Sequence, residues 1–318
     1  MTGPPKVAVV IPTVDRPDAL ARCIDALLAG THAASEIIVV DQGGDPRTLG
    51  VVEARMHRRD QLVHIGLAQK GASVARNAGV MHSVSPIIAF TDDDCVPDTR
   101  WLAEVVAALE RPVRPAAVTG RVLPLGPLVA GLHPVASRTS LRPRDHRRTV
   151  TPWNVGTGGN LSVRREWLDR VAGWDERLGP GTSGRAAEDI DIIERLLRAG
   201  ATIRYTPAAL VFHERQPTSR RRESRGRYGF GIGVATALWL RDGDVAAIPI
   251  FARWIASRAR LLGGAVIRAQ WSRARDEGRM LVGAFAGAMD GLLRASSRHP
   301  AAPWPAPDPA SRRRGNGE

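Results

Sequence analysis

The sequence predicts an α/β fold: a mostly parallel sheet with helices on both faces, followed by a helical extension. Three observations carry that expectation. Short apolar, β-branched runs alternate with stretches of helical spacing through the first hundred residues. Those runs are continuously apolar rather than alternating, as strands covered on both faces should be. Acidic clusters stand at residues 41–45 and 92–94, directly after two of the runs, and ligands of such sheets bind beyond the carboxyl ends of the strands.

Residues 7–11 (Val-Ala-Val-Val-Ile) form the first expected strand, stopped by Pro12. A helix over 16–29 follows, with Leu20, Cys23, Ile24, Leu27 and Leu28 at helical spacing and Gly30 as its stop. Residues 37–40 are the next strand, closed by a loop-forming Asp-Gln-Gly-Gly-Asp. A weaker helix over 49–58, a strand at 62–65, a helix over 72–82 and a strand at 86–90 continue the alternation. Another helix begins at Trp101. Residues 111–151 are rich in Pro and Arg and resist assignment, apart from a strand at 117–123. Strands are expected at 156–163 and 203–212. Between them, 188–199 is strongly amphipathic, with an acidic first turn, Arg198 near its end and Gly200 as its stop.

With 318 residues, 43% of them hydrophobic, the chain can bury a deep core. Disordered, collagen-like and disulfide-stapled classes are excluded. The formal net charge is +13, and it is unevenly spread. Residues 1–213 hold 26 Lys and Arg against 23 Asp and Glu, whereas 214–318 hold 19 against 9. Anionic partners therefore suit the last third and not the body. Cys23 and Cys95 make no framework or metal spacing. The N-terminus lacks the blocks of a signal peptide, and no apolar run reaches 18 residues. The expected location is the cytoplasm.

Three groups could carry chemistry. Asp92, Asp93 and Asp94 repel one another at a strand's end; either a hard divalent cation, Mg²⁺ or Mn²⁺, neutralises them, or they form a solvated turn. Gly71 and Ser73 sit near a helix start that favours anions, and Arg76 can reach a phosphate from its first turn or so. Neither a dinucleotide fingerprint nor a P-loop spacing is present. Glu188, Asp189 and Asp191 either complement a helix dipole or include a general base for a hydroxyl. His213 follows the strand at 203–212, where a lone His is structural or a ligand.

In order along the chain, Val-Ile-Pro-Thr-Val-Asp-Arg-Pro (10–17), Ile-Ile-Val-Val-Asp (37–41), Gly-Ala-Ser-Val-Ala-Arg-Asn-Ala-Gly (71–79) and Phe-Thr-Asp-Asp-Asp (90–94) are joined by four later segments. These are Gly-Thr-Gly-Gly-Asn (156–160), Gly-Trp-Asp-Glu (173–176), Glu-Asp-Ile-Asp (188–191) and Phe-His (212–213). The series resembles the family 2 glycosyltransferases, inverting enzymes of the GT-A fold, over roughly residues 6–213. The resemblance implies a GT-A type, Rossmann-like sheet and a role for each matching residue. Pro12 and Thr13 would line the nucleoside pocket, and Asp41 would accept from the base's ring N–H. Arg76 would lie near the base and pyrophosphate, with Asp92 and Asp93 also at the donor. Asp92, Asp94 and His213 would hold Mg²⁺ or Mn²⁺. Asp189 matches the catalytic base. Gly158, Gly159, Asn160, Trp174 and Glu188 would face the acceptor. Two departures stand in the loop after Asp41, where Gln42 replaces a second acid and Gly44 a serine.

The implied reaction moves a sugar from a nucleotide-diphosphate donor, of UDP or dTDP type, to a hydroxyl acceptor with inversion. The setting would be polysaccharide or glycolipid assembly of the cell envelope, with a lipid-linked or saccharide acceptor. The rival is a non-catalytic GT-A scaffold in a polysaccharide-assembly complex. The expected division is a catalytic unit over 1–213, a basic amphipathic extension over 214–300 and a disordered tail over 301–318. In the extension, Arg253, Arg260, Arg268, Arg275 and Arg279 are spaced to share one side of a helix. Such a helix either lies in an anionic membrane interface, peripheral on the inner face of the cell membrane, or packs its apolar side on the catalytic unit. Charge alone would support nucleic acid, and no recognition motif accompanies it.

Overall fold

The computed structural model describes residues 5–56, 61–148 and 150–294. Its first half is a repeated strand–helix unit: β1 (Val7–Thr13), α1 (Pro17–Leu28), β2 (Glu36–Asp41), α2 (Pro46–Met56), β3 (Leu62–Gly66), α3 (Ala72–His82) and β4 (Ile87–Phe90). Then come β5 (Cys95–Pro97), α4 (Trp101–Leu109), β6 (Ala117–Pro124), β7 (Leu132–His133) and β8 (Arg144–His146). β9 (Leu161–Arg164), α5 (Arg165–Arg170), α6 (Glu188–Arg198), β10 (Ile203–His213) and β11 (Gln216–Pro217) complete the body. Three long helices end the described chain: α7 (Thr218–Arg241), α8 (Ala247–Ile267) and α9 (Trp271–Arg294).

The strands run in the order β3-β2-β1-β4-β9-β6-β10-β5, with β8 added on β10. β3, β2, β1 and β4 are mutually parallel, and β6 is parallel to β10. Val7, Val9 and Ile11 of β1 point into one core with Leu20, Ile24 and Leu27 of α1 and Trp101 and Val105 of α4. Ala8 and Val10 point into the other, with Ala75 and Val80 of α3 and Ile192, Ile193, Leu196 and Leu197 of α6. Both faces of the strand are dry, which is why its sequence does not alternate.

Four details depart from the sequence reading. The strand expected over 156–163 is a 3₁₀ turn at Gly158–Asn160 followed by β9, antiparallel to both β4 and β6. The helix expected at 49–58 starts earlier, at Pro46, whose fixed φ suits a first turn; residues 57 and 58 lie outside the described residues. The unassigned Pro/Arg-rich stretch yields β6, β7 and β8. The extension breaks after α8, where Ala269 takes a left-handed φ of 52°, so Arg275 and Arg279 lie on a helix that runs back. The tail expected over 301–318 lies outside the described residues.

The extension is held by backbone contact. A Cβ at Gly229 would stand 2.2 Å from the Met280 carbonyl oxygen, and one at Gly233 would stand 2.0 Å from that of Ala284. One at Gly287 would meet the Phe230 carbonyl at 2.0 Å. The register rises together on both helices, so α7 and α9 run parallel at a separation only glycines permit. On its other side α7 closes on the body, where Ile232, Ala235 and Trp239 share a cluster with Leu178, Ala187 and Ile190. The Trp239 indole N–H donates to Asp191 at 2.8 Å, and Arg198 pairs with Asp244.

Candidate active site

The sheet topology brings the acidic clusters together. β1, β2 and β4 end on the same side, delivering Thr13, Asp41 and the triplet after Phe90. β9 runs against β4 with Leu161 opposite Phe90, so the glycines preceding β9 fall beside Asp92. β5 runs against β10 with Cys95 opposite His213, which lays His213 beside Asp94. α6 starts at the same end with Glu188 and Asp189.

The centre is a chain of charges. Arg76, buried on α3, donates to Asp92 Oδ1 at 2.8 Å and to Glu188 Oε1 at 3.3 Å. Its guanidinium lies 4.6 Å above the Trp174 ring. Burial pushes the Asp92 carboxyl up, but Arg76 and His213 outweigh it and hold the group below its ordinary value. Burial raises Glu188 to about 7, with Asp189 adding to the rise. Burial also raises Asp189, against the pull of Arg76. Asp189 accepts from the Ile190 N–H at 2.8 Å.

Two glycines let these groups pack closely on the chain. A Cβ on Gly158 would meet Arg76 at 3.3 Å and the Asp189 Cβ at 3.5 Å, and a Cβ on Gly159 would stand 2.6 Å from Asp92 Oδ2. Asp92, Asp94, Cys95 and His213 each offer a ligand atom within 4.8 Å of the others. The carboxylates and the imidazole suit Mg²⁺ or Mn²⁺. Burial pushes the Cys95 thiol well up, which disfavours its thiolate. With those ligand atoms so close together, the donor set fits a hard divalent ion.

Several residues expected at the site serve it from behind. Asp93 is fully buried, accepts from the Thr13 hydroxyl at 2.8 Å and pairs with Arg16 at 2.9 Å; it has no surface left for a donor, and the Thr13 hydroxyl is occupied by it. Asn160 is buried, takes the Trp101 indole N–H at 2.9 Å and donates to the carbonyls of Arg121 and Ala209. It locks the turn that aims Gly158 and Gly159, so it does not face an acceptor. Trp174 is fully buried too, with its ring under the Arg76 guanidinium. Asp191 is bound by Arg195 and Trp239, which removes it as a general base. Pro12 is part-exposed, and Asp41 accepts from the Gly43 N–H at 2.8 Å.

Other residues at the site escaped sequence reasoning. Arg16 pairs with both Asp93 and Asp94, and its only signal was its place in the first matching segment. Cys95 was visible only as the residue after the triplet. Gln42, the departure after Asp41, is buried and donates to the Gly71 carbonyl at 3.1 Å and to that of Gln69. An aspartate could not donate there, so the substitution changes how the 69–71 loop is fastened to β2.

The model of the glycosyl transferase family 2 domain matches residues 8–171, more than half of the chain. The chain belongs to glycosyl transferase family 2. Curated relatives agree with that family. A pre-mycofactocin glycosyltransferase of Mycobacterium tuberculosis is 29% identical over 248 residues, covering 76% of this chain and 49% of the relative. The chain thus spans about half of that relative's length. Glycosyltransferase AglE of Haloferax volcanii is 27% identical over 290 residues, covering 85% of this family 2 chain and 90% of the relative. The succinoglycan biosynthesis protein ExoM of Rhizobium meliloti is 30% identical over 205 residues, covering 63% and 62%. Among solved structures, the mannosyltransferase PcManGT from Pyrobaculum calidifontis, in complex with GDP-Man and Mn²⁺, superposes with a TM-score of 0.63. It is 19% identical and covers 93% of this chain and 89% of its own. That likeness identifies the fold as GT-A.

Proposed function

We propose that this family 2 chain transfers a sugar from a nucleotide-diphosphate donor to a hydroxyl acceptor, with inversion and with the help of a divalent cation. One observation carries the reading: Arg76 and Asp189 flank Gly158, where a Cβ would stand 3.3 Å from the Arg76 guanidinium and 3.5 Å from the Asp189 Cβ, and Arg76 in turn holds Asp92. Asp92, Asp94 and His213 would hold the ion, which when bound supplies positive charge against a leaving diphosphate. Arg76 adds a buried, fixed cation on the same side. Asp189 takes the acceptor's proton from the opposite side, and attack from there inverts the anomeric carbon. Glu188 keeps Arg76 aligned. The unit over 1–213 carries this chemistry, and the basic extension brings it to an acceptor at the cytoplasmic face of an anionic membrane. Relatives in succinoglycan and pre-mycofactocin biosynthesis support a saccharide or other hydroxyl acceptor.

A panel of UDP-, dTDP- and GDP-sugars, screened for thermal stabilisation with Mn²⁺, tests the donor half. GDP-mannose enters because the PcManGT structure holds it. One donor present at a hundred times its Kd should raise Tm by about 5 °C. The shift should vanish on chelation or in Asp92→Asn/Asp94→Asn. No shift with any donor in the presence of metal would overturn the reading.

A further inference from the structure

Away from the catalytic end, a cavity of about 550 Å³ opens between α7, α8 and α9. Its wall holds Arg221, Arg222 and Arg225 from α7, Arg258 from α8, and Arg273, Arg275 and Arg279 from α9, against only Asp276 and Glu277. Both acids are buried and already engaged. Glu277 lies 3.4 Å from Arg258 and 3.9 Å from Arg225, and Asp276 lies 3.7 Å from Arg221 and 3.9 Å from Arg279. Among the described residues, no carboxylate comes within 4.0 Å of Arg222, Arg273 or Arg275, and the buried Nε of Arg258 has no hydrogen-bond partner. So many guanidinium groups around one cavity repel one another unless a multivalent anion sits among them. Phosphate groups match the bidentate fork of Arg.

The same helix says where the phosphate comes from. Beyond Arg279, α9 presents Val282, Phe285, Met289 and Leu292 at spacings of three, four and three, all more than half exposed. Phe285 stacks edge-on against Phe251 of α8, 6.0 Å away, and Ile248 is exposed on the same helix. An apolar strip next to a phosphate-sized basic cavity matches a lipid, whose anionic head and acyl chains are likewise adjoined.

We propose that the arginine-lined cavity binds the phosphate headgroup of an anionic membrane lipid, with the apolar face of α9 seated among the acyl chains. This deepens the membrane-facing part of the function proposed above and rests on it for its meaning, although the binding itself needs no sugar transfer.

Co-sedimentation of the full chain with vesicles tests the site directly. The protein should pellet with phosphatidylcholine vesicles containing phosphatidic acid and not with phosphatidylcholine alone. Arg222→Gln/Arg273→Gln/Arg275→Gln should weaken that binding about a hundredfold with Tm unchanged, since these side chains are exposed. Phe285→Ser/Met289→Ser should also weaken it, while inorganic pyrophosphate should compete with it. Unchanged binding by the triple arginine variant would overturn the proposal. So would stabilisation by pyrophosphate without vesicle binding, which would mark a free anion as the ligand. Neither result bears on the donor screen, so the transferase reading stands or falls separately.

Discussion

Glu188 and Asp189 are adjacent acids whose contacts give them different work. Glu188 is tied to Arg76, whereas Asp189 is held by the backbone N–H groups of Ile190 and Gly158. Burial raises both carboxyls, Glu188 to about 7. A base must be ionised, so a raised value means the active form is lost as pH falls through it. The acid limb of kcat/KM should therefore lie above the usual aspartate range; a limb within or below that range would contradict the assignment. At this scale the sequence was informative about residue types and less so about direction. The Asp triplet was legible as a cluster, but the turn of its middle member inward onto Thr13 and Arg16 depends on which side of the chain each carboxylate leaves, and three identical letters do not encode that. Asn160 misled for a related reason. A polar residue in a glycine turn reads as ligand-facing, yet its three hydrogen bonds all go to the protein.

Elements from distant parts of the chain deliver these residues, and how they are paired decides where the residues end up. The antiparallel entry of β9 between β4 and β6 places Gly158 and Gly159 against Asp92. Strand identity was readable from apolar runs, but pairing partner and direction are set by non-local contacts. Packing of the extension is more demanding still. Gly226 and Gly233 both lie on α7, yet a Cβ at Gly226 would meet nothing within 4 Å, whereas one at Gly233 would stand 2.0 Å from the Ala284 carbonyl. Gly226→Ala should therefore raise stability by about 0.5–1 kcal/mol through helix propensity. Gly233→Ala should lower it by about 3 kcal/mol by forcing α7 off α9. Thermal melts of the two variants would check the parallel register, and equal effects would refute it.

Over the whole molecule, charge is divided by task. The body over 1–213 is nearly balanced, and the surplus positive charge gathers in the extension. The division was visible in the sequence, but its geometry was not. The Arg spacing from 253 to 279 reads through residues 268–270 as one helix because no Gly or Pro marks the break at Ala269. Both alternatives weighed for the extension have a physical basis. α7 buries its apolar side on α6, while α9 leaves its own face uncovered. No helix among the described residues is long and apolar enough to cross a membrane.

The central claim is that Asp189 acts as the base of a sugar transfer whose donor is bound independently of it. Donor turnover and donor-induced thermal shift, measured side by side for Asp189→Asn and its parent, test that claim most directly. Turnover should fall roughly a thousandfold while the thermal shift stays the same. Turnover retained at the parent's rate would contradict it.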